Sequence, residues 1–137
     1  MEGFNFKTQV RVRFAETDAQ GIVNNSAYML YLEVGRIEFF RKAGISIKDR
    51  GAHDIEFVLV EACIHYKSPA TADDLLNIYV RLKEMKDRAF TLEYVIACEG
   101  DQDRVVATAH TVTVSVSPVT MKACMMPENA RKMLMSV

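Results

Sequence analysis

The chain has no tryptophan, only three prolines and only three cysteines in 137 residues. Cys63, Cys98 and Cys124 are too few for a secreted disulfide scaffold and form no close pair of the kind that holds zinc, so the thiols fit a reducing cytoplasm. Neither sign of charge is in excess. The 17 lysines and arginines against 18 aspartates and glutamates make no overall field that recruits nucleic acid or an anionic membrane. No apolar run is long enough for a bilayer span, and Met1-Glu2-Gly3-Phe4-Asn5-Phe6-Lys7 lacks the apolar core of a secretion signal. Repeats and low-complexity tracts are also missing. With half of its residues apolar, the chain supplies one substantial core and too little for two, which predicts a single domain over 1–137.

Periodicity supplies the elements. Phe6, Thr8, Val10, Val12 and Phe14 alternate with Lys7, Gln9, Arg11 and Arg13, which predicts a half-buried strand from Phe6 to Phe14. Ser26 to Ala43 has no proline and is followed by Gly44, so it reads as one long helix. Apolar groups lie nearly all round that helix, which predicts that it is enclosed, with Glu33, Arg36, Glu38, Arg41 and Lys42 bringing its second half toward solvent. After a polar connector with Gly51 and His53, four extended segments follow at Phe57–Tyr66, Leu75–Met85, Phe90–Cys98 and Val105–Val116. The connectors Lys86-Asp87-Arg88 and Gly100-Asp101-Gln102-Asp103 are short and polar, as hairpin turns are, so the strands form an antiparallel sheet. Pro127-Glu128 opens a short terminal helix through Leu134.

The stretch Glu16-Thr17-Asp18-Ala19-Gln20-Gly21-Ile22-Val23-Asn24-Asn25-Ser26 sets the carboxylate of Asp18 in a short loop just ahead of the helix start. A carboxylate and a helix N-terminus that face one space suit attack on a polarised carbonyl, because exposed amide N–H groups stabilise the oxygen as it becomes anionic. That is the chemistry of acyl transfer or acyl hydrolysis. The same residues also have plain structural uses: Asp18 caps a turn before Gly21, and Asn25 with Ser26 caps the helix.

The segment Arg11–Arg41, with Asp18, Gly21, Val23, Asn25, Tyr28, Glu33 and Arg36, resembles the hot-dog-fold acyl-CoA thioesterases of the 4-hydroxybenzoyl-CoA thioesterase family, as do Tyr66, Pro69, Ala70 and Asp74 downstream. The resemblance implies an α+β fold in which a curved antiparallel sheet wraps around one long helix. It implies hydrolysis of an aromatic or fatty acyl-CoA thioester without metal or cofactor, coenzyme A being part of the substrate, in a dimer or a tetramer of paired dimers. Asp18 would attack the thioester carbonyl or activate water, and the Asn25 backbone N–H would face the thioester oxygen. Gly21 would permit a tight turn or close approach of substrate. Phe14 stands where many members carry tyrosine, and Asn25 where many carry histidine, so rate and pH profile are expected to differ while activity survives. Lys86 and Arg88 beside the third-to-fourth strand turn, and more weakly Lys67, are candidate contacts for the nucleotide of coenzyme A. An acyl-carrier-protein donor and a non-catalytic acyl-thioester binding module are the alternatives.

Other polar residues read as structural. Glu33 is expected to pair with Arg36 one turn on. His65 shares a strand face with Glu61 and Cys63 but finds no further ligand pair for a metal, and His110 among valines reads as a hydrogen-bonded core histidine.

Overall fold

Alternating residues build five strands, β1 (Phe6–Arg11), β2 (Glu56–Tyr66), β3 (Leu75–Met85), β4 (Ala89–Cys98) and β5 (Arg104–Val116), and all neighbours pair antiparallel in one sheet ordered β1-β3-β4-β5-β2. The computed structural model describes residues 1–48 and 54–137, so the connector with Gly51 and His53 lies outside the described residues. Register shifts at Leu59/Glu61, Leu82/Glu84 and Ile96/Ala97 add bulges, which bend the strands and strengthen their twist. Helix α1 (Ala27–Ala43) carries the chain from the β1 edge to the β2 edge across one face of the sheet, and α2 (Glu128–Met135) lies beside it. The result is the expected α+β arrangement. All three cysteines are free, and among the described residues no helix is long and apolar enough to cross a membrane.

The face under α1 is set by the register. Phe6, Thr8 and Val10 stand opposite Val80, Ile78 and Leu76, and those in turn stand opposite Tyr94, Ile96 and Cys98. The row continues through Ala109 and Ala107 on β5 to Ile64 and Tyr66 on β2. From the helix, Tyr28, Tyr31, Leu32, Gly35, Phe39 and Phe40 are buried against this surface. Gly44 closes α1 in the left-handed conformation, its N–H bonded to Arg41 O at 3.1 Å while Ile45 N–H reaches Phe40 O at 2.8 Å.

Gly35 shows how closely helix and sheet approach. A Cβ built there would lie 2.7 Å from Ile78 Cγ2 and 3.1 Å from Val80 Cγ2, methyls on stiff β-branched side chains. Gly35→Ala is therefore expected to destabilise by about 1–3 kcal/mol through overpacking, against a helix-propensity gain of roughly 1 kcal/mol. A lower urea midpoint at unchanged slope is the readout.

Four expectations need correction. β1 ends at Arg11 rather than Phe14: Glu16 captures the Arg13 N–H at 2.9 Å and winds Phe14–Glu16 into a 3₁₀ turn, leaving Phe14 83% exposed. The helix is not enclosed in the single chain, since Met29 and Leu30 in its first half are exposed while Phe39, Phe40 and Ala43 in its second half are buried. His110 is not a core histidine. It lies on the outer face of β5 at 3.0 Å from Glu61, because the residues of β5 beneath α1 are Ala107, Ala109, Thr111, Thr113 and Ser115, and Val112 and Val114 alternate outward with it. Among the described residues Glu33 makes no ion pair with Arg36; on α1 Glu38 pairs with Arg41 at 3.1 Å, and Arg36 turns its Nη1 inward.

Candidate active site

The loop before α1 is organised by Glu16, a carboxylate only 8% exposed. Its Oε1 accepts from the Arg13 N–H at 2.9 Å and from the Tyr31 hydroxyl at 2.7 Å, and its Oε2 accepts from Arg13 Nε at 2.8 Å. Burial alone would raise the Glu16 carboxyl, but these hydrogen bonds and the guanidinium charge outweigh it and hold the group below its ordinary value. Burial, reinforced by Glu16, pushes the Tyr31 phenol far above its ordinary range, so it stays a donor. Glu16 also contributes its backbone: Glu16 O accepts from Asn24 N at 2.9 Å and from Asn24 Nδ2 at 3.2 Å. One residue thereby fixes both ends of the loop to the second turn of the helix.

Between those ends the chain forms a small hairpin. Thr17 bridges to Val23, the Asp18 N–H donates to Ile22 O at 2.8 Å, and the Gly21 N–H donates to Asp18 O at 3.0 Å. Gly21 sits at φ +81°, and a Cβ there would meet nothing within 4 Å, so the turn needs glycine for its backbone while open space lies above it. The hairpin is docked onto the segment before β3 through Ile22–Thr71 and through Val23 N–H to Ala70 O at 2.9 Å. Asp18 is at its tip and exposed in the single chain. Oδ1 accepts from the Gln20 N–H at 2.8 Å, which is the turn role expected of an aspartate there, and Oδ2 has no hydrogen-bond partner among the described residues. The turn role occupies one oxygen and leaves the other facing solvent.

At the start of α1 the capping side chain is Asn24, not Asn25: the Ala27 N–H donates to Asn24 Oδ1 and to Asn24 O, both at 3.1 Å. Asn25 is exposed, its carbonyl accepts from the Tyr66 hydroxyl at 3.3 Å, and its own N–H has no partner among the described residues. Tyr66 packs edge-on against Tyr28 at 5.2 Å, and Tyr28 against Tyr31 at 5.7 Å, so a ladder of tyrosines joins the end of β2 to the first turns of the helix. Burial pushes the Tyr28 phenol up, the neighbouring Tyr66 adding to it and Arg104 opposing it.

The structure brings Asp18, Gly21, Phe14, Asn25 and Lys67 to one end of the sheet, Lys67 following directly on Tyr66. Lys86 and Arg88 lie at the other end. They sit in the turn after β3, whose 11 residues separate them from the Asp18 hairpin by roughly 35 Å. The Arg131 guanidinium donates to Lys86 O at 2.7 Å, and Arg88 O accepts from the Ser115 N–H at 2.9 Å. Glu33 is exposed on α1. Cys63 Sγ lies 3.6 Å from His65 Nε2, and no cluster of metal-ligating side chains occurs among the described residues. Glu16, Tyr31 and Asn24 were not singled out from sequence, although Arg13-Phe14-Ala15-Glu16 offered a signal: an acid three residues after the N-cap is the spacing of a capping box.

Comparison with known proteins agrees with this architecture. Residues 12–134 match the family model of the thioesterase-like superfamily. The long-chain acyl-CoA thioesterase FadM of Escherichia coli strain K12 is 33% identical over 128 residues, covering 93% of this chain and 96% of the relative. An Aquifex aeolicus protein of known structure superposes with a TM-score of 0.86 at 35% identity, covering 94% of this chain and 98% of that one. A gentisyl-coenzyme A thioesterase superposes with a TM-score of 0.83 at 28% identity over 94% and 99%. A matching model along nine-tenths of the sequence, a relative alike from end to end and a shared fold place the chain in one family: it belongs to the thioesterase-like superfamily.

Proposed function

We propose that this protein is an acyl-CoA thioester hydrolase in which Asp18 is the nucleophile or general base and the amide end of α1, through the Asn25 N–H, polarises the thioester carbonyl. The observation that carries the reading is the double anchorage at Glu16, which ties the Asp18 hairpin and the start of the helix to one rigid point. An acid held in this way meets a bound carbonyl without reorganising, and the unpaired amide meets the oxygen where negative charge develops. FadM and the gentisyl-coenzyme A thioesterase both carry acyl-CoA chemistry in their names, which supports coenzyme A as the donor.

The site is completed by a second copy of the chain. Exposed Phe14, Met29 and Leu30 leave apolar surface at the end of the molecule that bears Asp18, and Lys86 and Arg88 lie too far away to reach a nucleotide bound there by their own subunit. In a homodimer, or a tetramer of such dimers, the partner supplies that basic turn. Lys86→Ala combined with Arg88→Ala is expected to raise KM for acyl-CoA roughly three- to tenfold with little change in kcat, the effect shrinking at high salt.

A panel of aromatic and fatty acyl-CoA thioesters, assayed for free thiol, tests the function. Release from at least one is expected, and acyl-carrier-protein thioesters in the same panel separate the two donors. Tight binding with no thiol release across the panel would make the protein a binding module instead.

A further inference from the structure

Two successive peptides at the start of α1 are each held by their carbonyl. Asn24 O accepts from the Ala27 N–H at 3.1 Å, and Asn25 O accepts from the Tyr66 hydroxyl at 3.3 Å. No cis peptide bond occurs among the described residues, so the N–H of each peptide projects from the side opposite its carbonyl. The grip on Asn24 O therefore aims the Asn25 N–H, and the grip on Asn25 O aims the Ser26 N–H. Neither N–H has a partner among the described residues, and the Ser26 hydroxyl is taken by Asn24 Oδ1. The first peptide is turned by the helix cap itself, whereas the second depends on a residue of the β2 edge strand.

Tyr66 is held rigidly enough to set that direction. It is the last residue of β2, paired with Ala107 on β5, and the N–H groups of Lys67 and Ser68 that follow both donate to Val106 O, at 2.9 and 3.2 Å. Its ring stands edge-on to buried Tyr28 at 5.2 Å, and Tyr28 stands against Tyr31, whose hydroxyl donates to Glu16. The carboxylate that ties down the Asp18 hairpin thus also backs the ladder that carries the Tyr66 hydroxyl. Folding alone does not call for the bond. Tyr66 is 49% exposed and Asn25 is exposed, so water would satisfy both groups, and the net gain from pairing them is small. A donor on a fixed strand end, aimed at one loop carbonyl, acts instead on the orientation of that peptide.

We infer that Tyr66 is a positioning residue for the hydrolysis: by holding the Asn25 carbonyl it fixes the peptide whose Ser26 N–H joins the Asn25 N–H on the thioester oxygen. The oxygen is then met by two amides rather than one. This rests on the thioesterase reading and deepens it.

Tyr66→Phe removes the hydroxyl and keeps the ring against Tyr28. It is expected to lower kcat about three- to tenfold, the range for one neutral hydrogen bond, with KM within about twofold and the melting temperature unchanged. The substrate carbonyl supplies a readout that a packing role would not move. Benzoyl-CoA and dodecanoyl-CoA, each isotopically labelled at the carbonyl carbon, are bound to full-length Asp18→Asn and to Asp18→Asn combined with Tyr66→Phe. The labelled stretch is then measured by infrared difference spectroscopy. Binding to Asp18→Asn is expected to lower the frequency of at least one thioester below its value in solution, and Tyr66→Phe to return it about halfway. An equal frequency with and without the hydroxyl would overturn the inference and leave the thioesterase reading standing. So would a Tyr66→Phe protein that melts lower while its kcat is unchanged, since the residue then only packs. If Asp18→Asn binds neither thioester, or binds without lowering the stretch, carbonyl polarisation at the start of α1 falls and the inference with it.

Discussion

Asp18→Asn is expected to lower kcat for the best acyl-CoA by about 10²–10⁴-fold, the range for losing a positioned base or nucleophile. The substitution isolates the chemistry. Asparagine keeps an Oδ1 that accepts the Gln20 N–H, so the hairpin fastened by Asp18 N–H to Ile22 O and Gly21 N–H to Asp18 O should persist. Stability should move by no more than about 0.5 kcal/mol, as for other exposed sites. Substrate affinity should change little, and the loss should fall on kcat. If turnover survives, Asp18 serves only as the turn acceptor through its Oδ1, and the chemistry belongs elsewhere on the loop.

Glu16→Gln is expected to act on stability first and on activity through it. The buried carboxylate meets Arg13 twice through its guanidinium and backbone and Tyr31 once, so the amide leaves one donor facing another and removes the charge. A loss of about 3 kcal/mol follows from breaking such a partly buried network. The pH dependence has a definite sign. The carboxyl is held below its ordinary 4.5 despite burial, so its contribution is complete above about pH 4.5 and is lost as pH falls through the lower folded value. Wild type should therefore show an acid-side decline in its urea midpoint below pH 4.5, and Glu16→Gln should start lower at pH 7 and decline less. Matching acid limbs in the two proteins would assign the decline to other carboxylates.

Much of the fold was legible because it is local. β3 runs from Leu75 to Met85 as alternation predicts, and β2, β4, β5, α1 and α2 begin or end within one residue of expectation, since polar hairpin turns and Gly44 punctuate them. The expectations that failed depend on which surfaces meet. Val112 and Val114 on β5 were as apolar as any core row, but the register that sets Ile78 and Val80 beneath Gly35 carries the covered face of β5 through Ala107 and Ala109. Arg36 looked like a surface partner for Glu33 at helical spacing, and only the position of Tyr94 across the core turns it inward. In the loop, the sequence reading singled out Asp18, Gly21 and Asn25 as candidates but passed over Glu16, because a carboxylate that serves as a buried anchor cannot be told from a solvated one until Tyr31 is placed above it. Asn24 and Asn25 are adjacent, and which of them caps the helix depends on the hairpin that precedes them.

The most direct measurement is a crystal structure of Asp18→Asn soaked with an acyl-CoA that wild type hydrolyses. The thioester carbon is expected within about 3.5 Å of the residue 18 side chain and its oxygen about 3 Å from a backbone N–H at the start of α1. An acyl-CoA bound with its thioester away from both groups would contradict it.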